Sequence, residues 1–255
     1  MEEKKRKPAL TFDKQLALLK ERKLIVEDES HAMEKLKSHN YYRLSAYMKP
    51  FMNGNSFRAG TNFDQIIQLY DFDKNLRHLI LTQLEPVEIA MKTQVAYLLA
   101  IKYDDSLSYK NKEYFANEVK HEEFIKKFEK ELEQASKVQT TFILHHMAQY
   151  GGQVPVWAAV EMMSFGTISQ LFKNMLEEDK QAIAKGYFGH RHNYLSSWLY
   201  TLSYVRNIIA HHARLFNKTL TFPVKLSDKD KRLGYPRMYG DYTVDQTGRL
   251  PGSRV

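Results

Sequence analysis

The segment Leu195-Ser196-Ser197-Trp198-Leu199-Tyr200-Thr201-Leu202-Ser203-Tyr204-Val205-Arg206-Asn207-Ile208-Ile209-Ala210-His211-His212-Ala213-Arg214-Leu215-Phe216 sets the reading of the chain. At about 100° per residue, Leu195, Trp198, Leu199, Leu202, Val205, Ile209 and Phe216 gather on one apolar arc. Tyr200, Ser203, Asn207, His211 and Arg214 form a polar stripe on another side. The spacing predicts one long helix from about Asn193 to Phe216.

The same period recurs upstream. Helices are expected at about Phe12 to Lys23 and at Ser30 to Ser38, the second with Ser30 as N-cap. Asn53-Gly54-Asn55-Ser56 reads as a turn, and Thr61 or Asn62 as the cap of a long helix starting near Phe63. That helix carries Phe63, Ile66, Ile67, Tyr70, Leu76, Leu79, Ile80, Val87, Ile89, Val95 and Leu98, with Pro86 expected to kink or divide it. Residues 103–115 read as loop and Glu118 to Gln134 as a charge-rich surface helix. A further helix ends at Gly151-Gly152, another opens at Val156-Trp157 after Pro155, and Phe165-Gly166-Thr167 separates it from a short one reaching Met175. Only Leu220 to Val224 alternates like a strand. The fold class is therefore all-α: one helical domain over 8–222, or two lobes over 8–135 and 138–222, and then an irregular basic tail over 223–255.

Composition bounds the function. The chain has 255 residues, 38 Lys+Arg against 30 Asp+Glu, a net charge of +8 and no Cys, with a pI of about 9.3. Disulfides, thiolate ligands and thiol nucleophiles are excluded, and a reducing cytoplasm fits. No apolar run approaches the roughly 20 residues of a membrane span, and Met1 to Pro8 has no apolar stretch of the secretory kind. An excess of positive charge favours an anionic partner, nucleic acid first. Eight of the Lys+Arg against four Asp+Glu lie from Asn217 onward, so half of the net charge belongs to the tail.

The common catalytic machinery is missing: there is no phosphate-binding glycine loop, no Gly-x-Ser-x-Gly and no His-Glu-x-x-His. His145-His146 and His190-x-His192 lack a carboxylate or Cys at ligand spacing, so neither a metal nor a cofactor is expected. On the polar stripe, His211 beside Asn207 is a reasonable acid/base site, since imidazole changes charge near neutral pH. His212 falls at the edge of the apolar arc and reads as a packed core histidine. Arg206 points toward the apolar side, about 140° from His211, so a lone straight helix does not bring the two together. Either the helix bends or a second copy supplies the partner. A guanidinium there needs an ion pair with a core-facing carboxylate or a wet, anion-binding cleft, and both readings stay open. Arg43 among Tyr41, Tyr42 and Tyr47 suits either single-stranded RNA or packing between helices. Glu85 and Glu88 lie i,i+3 on a helix and read as partners of Lys or Arg rather than as a catalytic pair.

Arg206-Asn207-Ile208-Ile209-Ala210-His211 resembles the Arg-x4-6-His signature of HEPN RNases. The wider sequence is similar to the bacterial Abi family, abortive-infection proteins of the D/F type. The matching blocks are residues 40–47 (Asn40-Tyr41-Tyr42-Arg43-Leu44-Ser45-Ala46-Tyr47), 69–77 (Leu69-Tyr70-Asp71-Phe72-Asp73-Lys74-Asn75-Leu76-Arg77), 85–90, Pro155-Val156-Trp157, Phe165-Gly166-Thr167, and Arg206-Asn207 through Asn217. The resemblance runs from about Pro8 to Val224. It implies a HEPN-type helical bundle with an N-terminal helical extension. It also implies a metal-independent, cofactor-free endoribonuclease of phage defence, working as a homodimer with a composite site. His211 would move protons, Arg206 would hold the scissile phosphate, Asn207 would orient either, and His212 joins the catalytic set. Arg214, Arg43 and Tyr42 are the RNA-binding candidates.

Two features depart from the family pattern. The basic tail replaces further helical sequence, and Arg77-His78 is no second motif. The other reading is a non-catalytic helical module that binds RNA or a partner protein, such as an antitoxin or a regulatory RNA. A plain helical oligomerisation domain leaves the polar stripe without a role.

Overall fold

The computed structural model describes residues 8–138, 141–222 and 224–227. The predicted tail therefore lies almost wholly outside the described residues. Ten α-helices account for most of those described, and the fold is all-α. Two compact units emerge from the chain: residues up to Ile80 together with Ala213–Phe216, and Leu81–His212 together with the segment from Asn217 onward.

The first unit holds α1 (Phe12–Glu21), α2 (Glu29–Ser38), α3 (Tyr41–Met48) and the start of α4 (Phe63–Tyr103). Each start is fixed by a side chain that accepts an otherwise unpaired backbone N–H: Thr11 for α1, Asp28 for α2 and Asn40 for α3. The α2 cap is thus Asp28 and not the predicted Ser30; its carboxylate takes the His31 N–H at 2.9 Å. At α4, Asn62 and Gln65 cap one another, side chain to backbone, at 2.9 and 3.1 Å. The turn at Asn53-Gly54-Asn55-Ser56 closes a small hairpin, β1 (Met52–Asn53) with β2 (Ser56–Phe57), with Gly54 at φ +61°. Leu16 and Leu19 of α1, Leu36 of α2, Leu44 and Tyr47 of α3, and Ile66 of α4 share one buried cluster.

The second unit holds the rest of α4, then α5 (Glu118–Lys137), α6 (Thr141–Gln149), α7 (Val156–Met162), α8 (Phe165–Asn174), α9 (Glu177–Gly186) and α10 (His192–Ala210). Helix α8 packs against α5 and α10, and α10 also against α9. Phe165, Ile168 and Phe172 of α8 and Leu199 of α10 are fully buried at its centre.

Several expectations are corrected. Helix α4 runs unbroken through Pro86. Pro86 is exposed, so its ring lies on the solvent side of the helix and not in the core. Phe165-Gly166-Thr167 is no separator but the first turn of α8, because the Ser164 hydroxyl accepts the Thr167 N–H at 3.2 Å. Residues 177–186 form a helix that periodicity alone left unassigned. Leu220 to Phe222 form no strand.

The last helix ends at Ala210, not Phe216. The His211 N–H still bonds to the Asn207 carbonyl at 3.1 Å, while the His212 N–H turns back to Ile209 at 2.9 Å. His212 then takes φ +53°, the left-handed stop that usually falls to Gly or Asn. What holds the chain there is tertiary. The Leu215 and Phe216 N–H groups donate to the Asp73 carboxylate at 3.1 and 2.5 Å instead of continuing a helix.

Candidate active site

Helix α10 presents Arg206 and Asn207 in its last turns and passes the chain to His211 as its C-terminal cap. Asn207, His211 and His212 are exposed. His212 is therefore not the packed core histidine that the helical wheel implied, because the helix has ended and its left-handed backbone turns it off the apolar arc. Arg214, expected one turn beyond His211 on the polar stripe, has left the stripe for the same reason. Its Nη1 donates to the Ala46 carbonyl at 2.6 Å in the first unit.

Arg206 is half-buried, and its Nε lies 3.5 Å from Oε2 of Glu88 on α4. The other carboxylate oxygen of Glu88 is 3.5 Å from Lys92 Nζ, one turn along the same helix. Of the two readings left open for this guanidinium, the structure realises the ion pair. It does so through Nε, and the two terminal nitrogens have no protein partner among the described residues. A face able to grip a phosphate in a fork is thereby kept.

Other candidates are placed elsewhere. Arg43 is half-buried, with its guanidinium 5.7 Å from the Tyr70 ring centroid, while Tyr42 is 85% exposed. Tyr47 is buried, 2.6 Å from Asp73 Oδ2. Among the histidines that had suggested a metal, His190 stacks edge-on to Trp198 and His192 Nε2 lies 3.3 Å from Glu177. Among the described residues no three His, Asp or Glu side chains gather as a metal would require, and no helix is long and apolar enough to cross a membrane.

Sequence reasoning missed a buried polar knot in the first unit. Asp73, wholly buried, accepts from the Tyr47 hydroxyl, from Arg77 Nη1 one helical turn away, and from the Leu215 and Phe216 backbone. Burial, reinforced by the neighbouring carboxylate, pushes the Tyr47 phenol up to about 12. Three of the sequence blocks, 40–47, 69–77 and the end of the motif segment, meet at this carboxylate. The readable signal was Asp73 and Arg77 at i,i+4 on a helix face that otherwise faces the core.

Residues 34–217 match the profile of the family described as Abi-like protein. No curated protein and no solved structure is significantly similar to the chain. The match covers most of the chain and contains both Arg206 and His211, and on that basis the chain belongs to the Abi-like protein family.

Proposed function

We propose that this protein is a metal-independent endoribonuclease of abortive-infection defence, with a HEPN-type site built on Arg206, Asn207 and His211. The observation that carries the reading is their placement at one helix end. His211 is exposed at the cap, Asn207 is exposed one turn before it, and Arg206 is pinned by Glu88 with its terminal nitrogens unengaged among the described residues.

In this chemistry the neutral imidazole of His211 takes the proton of an RNA 2′-hydroxyl. The oxygen attacks the adjacent phosphorus, the bond from phosphorus to the 5′-oxygen breaks, and a proton returns from imidazolium to that leaving oxygen. The products are a 2′,3′-cyclic phosphate and a 5′-hydroxyl. Arg206 offsets the charge that grows on the phosphoryl oxygens. Asn207 orients the imidazole or the phosphate.

Arg206 and His211 diverge by about 140° around α10, so the site is completed by a second copy of the chain. Support for pairing comes from α4 in the second unit. Ile89, Tyr97 and Ile101 are 56%, 66% and 66% exposed. Together with Pro86, Ala90 and Thr93 they occupy an arc of about 120° that contains no charged residue. A face without charge matches another copy of itself and is where two +8 chains repel least.

A second reading, a non-catalytic module that binds RNA or an antitoxin, is favoured by one fact: Glu88 already neutralises Arg206. Incubation of the pure protein with RNA in EDTA separates the two. Cleavage that depends on His211 supports the enzyme, and intact RNA supports the module.

A further inference from the structure

The second unit carries a groove of about 570 Å³ whose charge the motif does not explain; Lys173 of α8, Lys180 of α9, Lys225, and Asn193, Ser197 and Tyr200 of α10 line it. None of the three lysines is in an ion pair among the described residues. Hydrogen bonds hold the groove together. Lys180 Nζ reaches the Lys173 carbonyl at 3.4 Å. The stretch bearing Lys225 is stapled to α10 by Thr201 to the Phe222 carbonyl at 2.8 Å, Trp198 to the Lys225 carbonyl at 2.6 Å, and the Lys225 N–H to Ser197 at 2.9 Å. Tyr200 forms an aromatic floor, with Lys173 Nζ 5.5 Å from its ring centroid and the Phe222 ring 4.6 Å away.

The groove is in line with the candidate active site. At about 100° per residue, Asn193, Ser197, Tyr200, Tyr204, Asn207 and His211 fall within about 40° of one line along α10. Tyr200 stands about 17 Å of helix rise before His211, a distance of a few nucleotides.

We propose that this groove is a distal subsite for a single RNA strand, with Lys173, Lys180 and Lys225 on consecutive phosphates and a base or ribose against Tyr200. Lysine is a point-charge phosphate ligand, and an aromatic floor between cationic side chains is the usual platform for single strands. The direction of the strand toward His211 rests on the ribonuclease reading; the binding itself does not.

The test uses the full chain and a fluorescent 2′-O-methyl single strand, which lacks the nucleophilic hydroxyl, titrated across a salt series. Lys173→Gln/Lys180→Gln/Lys225→Gln is compared with Lys14→Gln/Lys37→Gln/Lys74→Gln, which removes equal charge from the first unit. The groove variant is expected to lower the slope of log K against log salt by about 2, from roughly 0.7 per phosphate contact, and the control to leave it near wild type. Tyr200→Ala should weaken binding about fivefold or more while Tyr200→Phe retains it. Matching thermal melts establish that the variants are folded. Equal slopes for the two triple variants, or displacement of the strand by poly-glutamate at equal charge, overturns the assignment. Lysine-dependent binding by a protein that cuts no RNA leaves the groove standing and removes only the nuclease.

Discussion

Glu88 holds Arg206 by its Nε edge, 3.5 Å away, while sharing its second oxygen with Lys92. A carboxylate in this position fixes where the guanidinium points without occupying its terminal nitrogens. On the proposed ribonuclease reading, Glu88 would act as a positioning residue that leaves Arg206 available to a phosphate whose charge grows during reaction.

Glu88→Gln keeps shape and removes the charge. RNA cleavage is expected to fall roughly three- to tenfold, mostly in kcat, with a small change in the melting temperature, because Arg206 is partly exposed and water screens its pair with the largely buried Glu88. Unchanged kcat in a folded variant contradicts the positioning role.

Mixing inactive variants tests the composite site. Equal amounts of Arg206→Ala and His211→Ala protein, allowed to exchange partners, form one complete site in each mixed dimer. About a quarter of wild-type cleavage should return. No recovery after demonstrated exchange means that both groups act within one chain.

The charge-free face of α4 is checked by solution mass. Ile89→Glu/Ile101→Glu introduces like charges across the expected contact and should shift light scattering from dimer to monomer at micromolar concentration, with cleavage lost in parallel. A wild-type monomer, or a variant that stays dimeric, refutes this face.

The Asp73 knot makes a prediction about stability. Asp73→Ala leaves Arg77 buried without its anion and should cost about 3–5 kcal/mol in urea unfolding. Tyr47 adds a pH signature. Its folded-state pKa is raised to about 12, so its contribution is complete below its ordinary value near 10 and is lost as pH rises through the folded value. Wild-type stability should therefore fall across pH 10 to 12, and the fall should be shallower in Tyr47→Phe. Equal slopes contradict the bond to Asp73.

The helical class was legible because the apolar period of 3.6 survives in α1, α4, α5 and α10. Helix starts at polar caps such as Asn62 were also legible, since capping is local chemistry. Boundaries set by distant groups were not. The continuation of α10 to Phe216 looked favourable locally, and Asp73, far off in sequence, ended it by taking the Leu215 and Phe216 N–H groups. That one change moved His212 and Arg214 off the polar stripe. Residues 206, 207 and 211 became candidates by their order alone, but the ion-pair partner of Arg206 was not legible, because nothing in spacing tells which of Glu85 and Glu88 faces it. The lysine groove gathers three helices and a loop, and no linear pattern marks it.

The most direct measurement incubates pure protein with structured and unstructured RNAs in EDTA and compares wild type with Arg206→Ala and His211→Ala. Wild type should yield fragments ending in 2′,3′-cyclic phosphate or its hydrolysed form, and each variant should lose at least about 100-fold in rate. RNA left intact by wild type, or cut equally by all three proteins, contradicts catalysis by these residues.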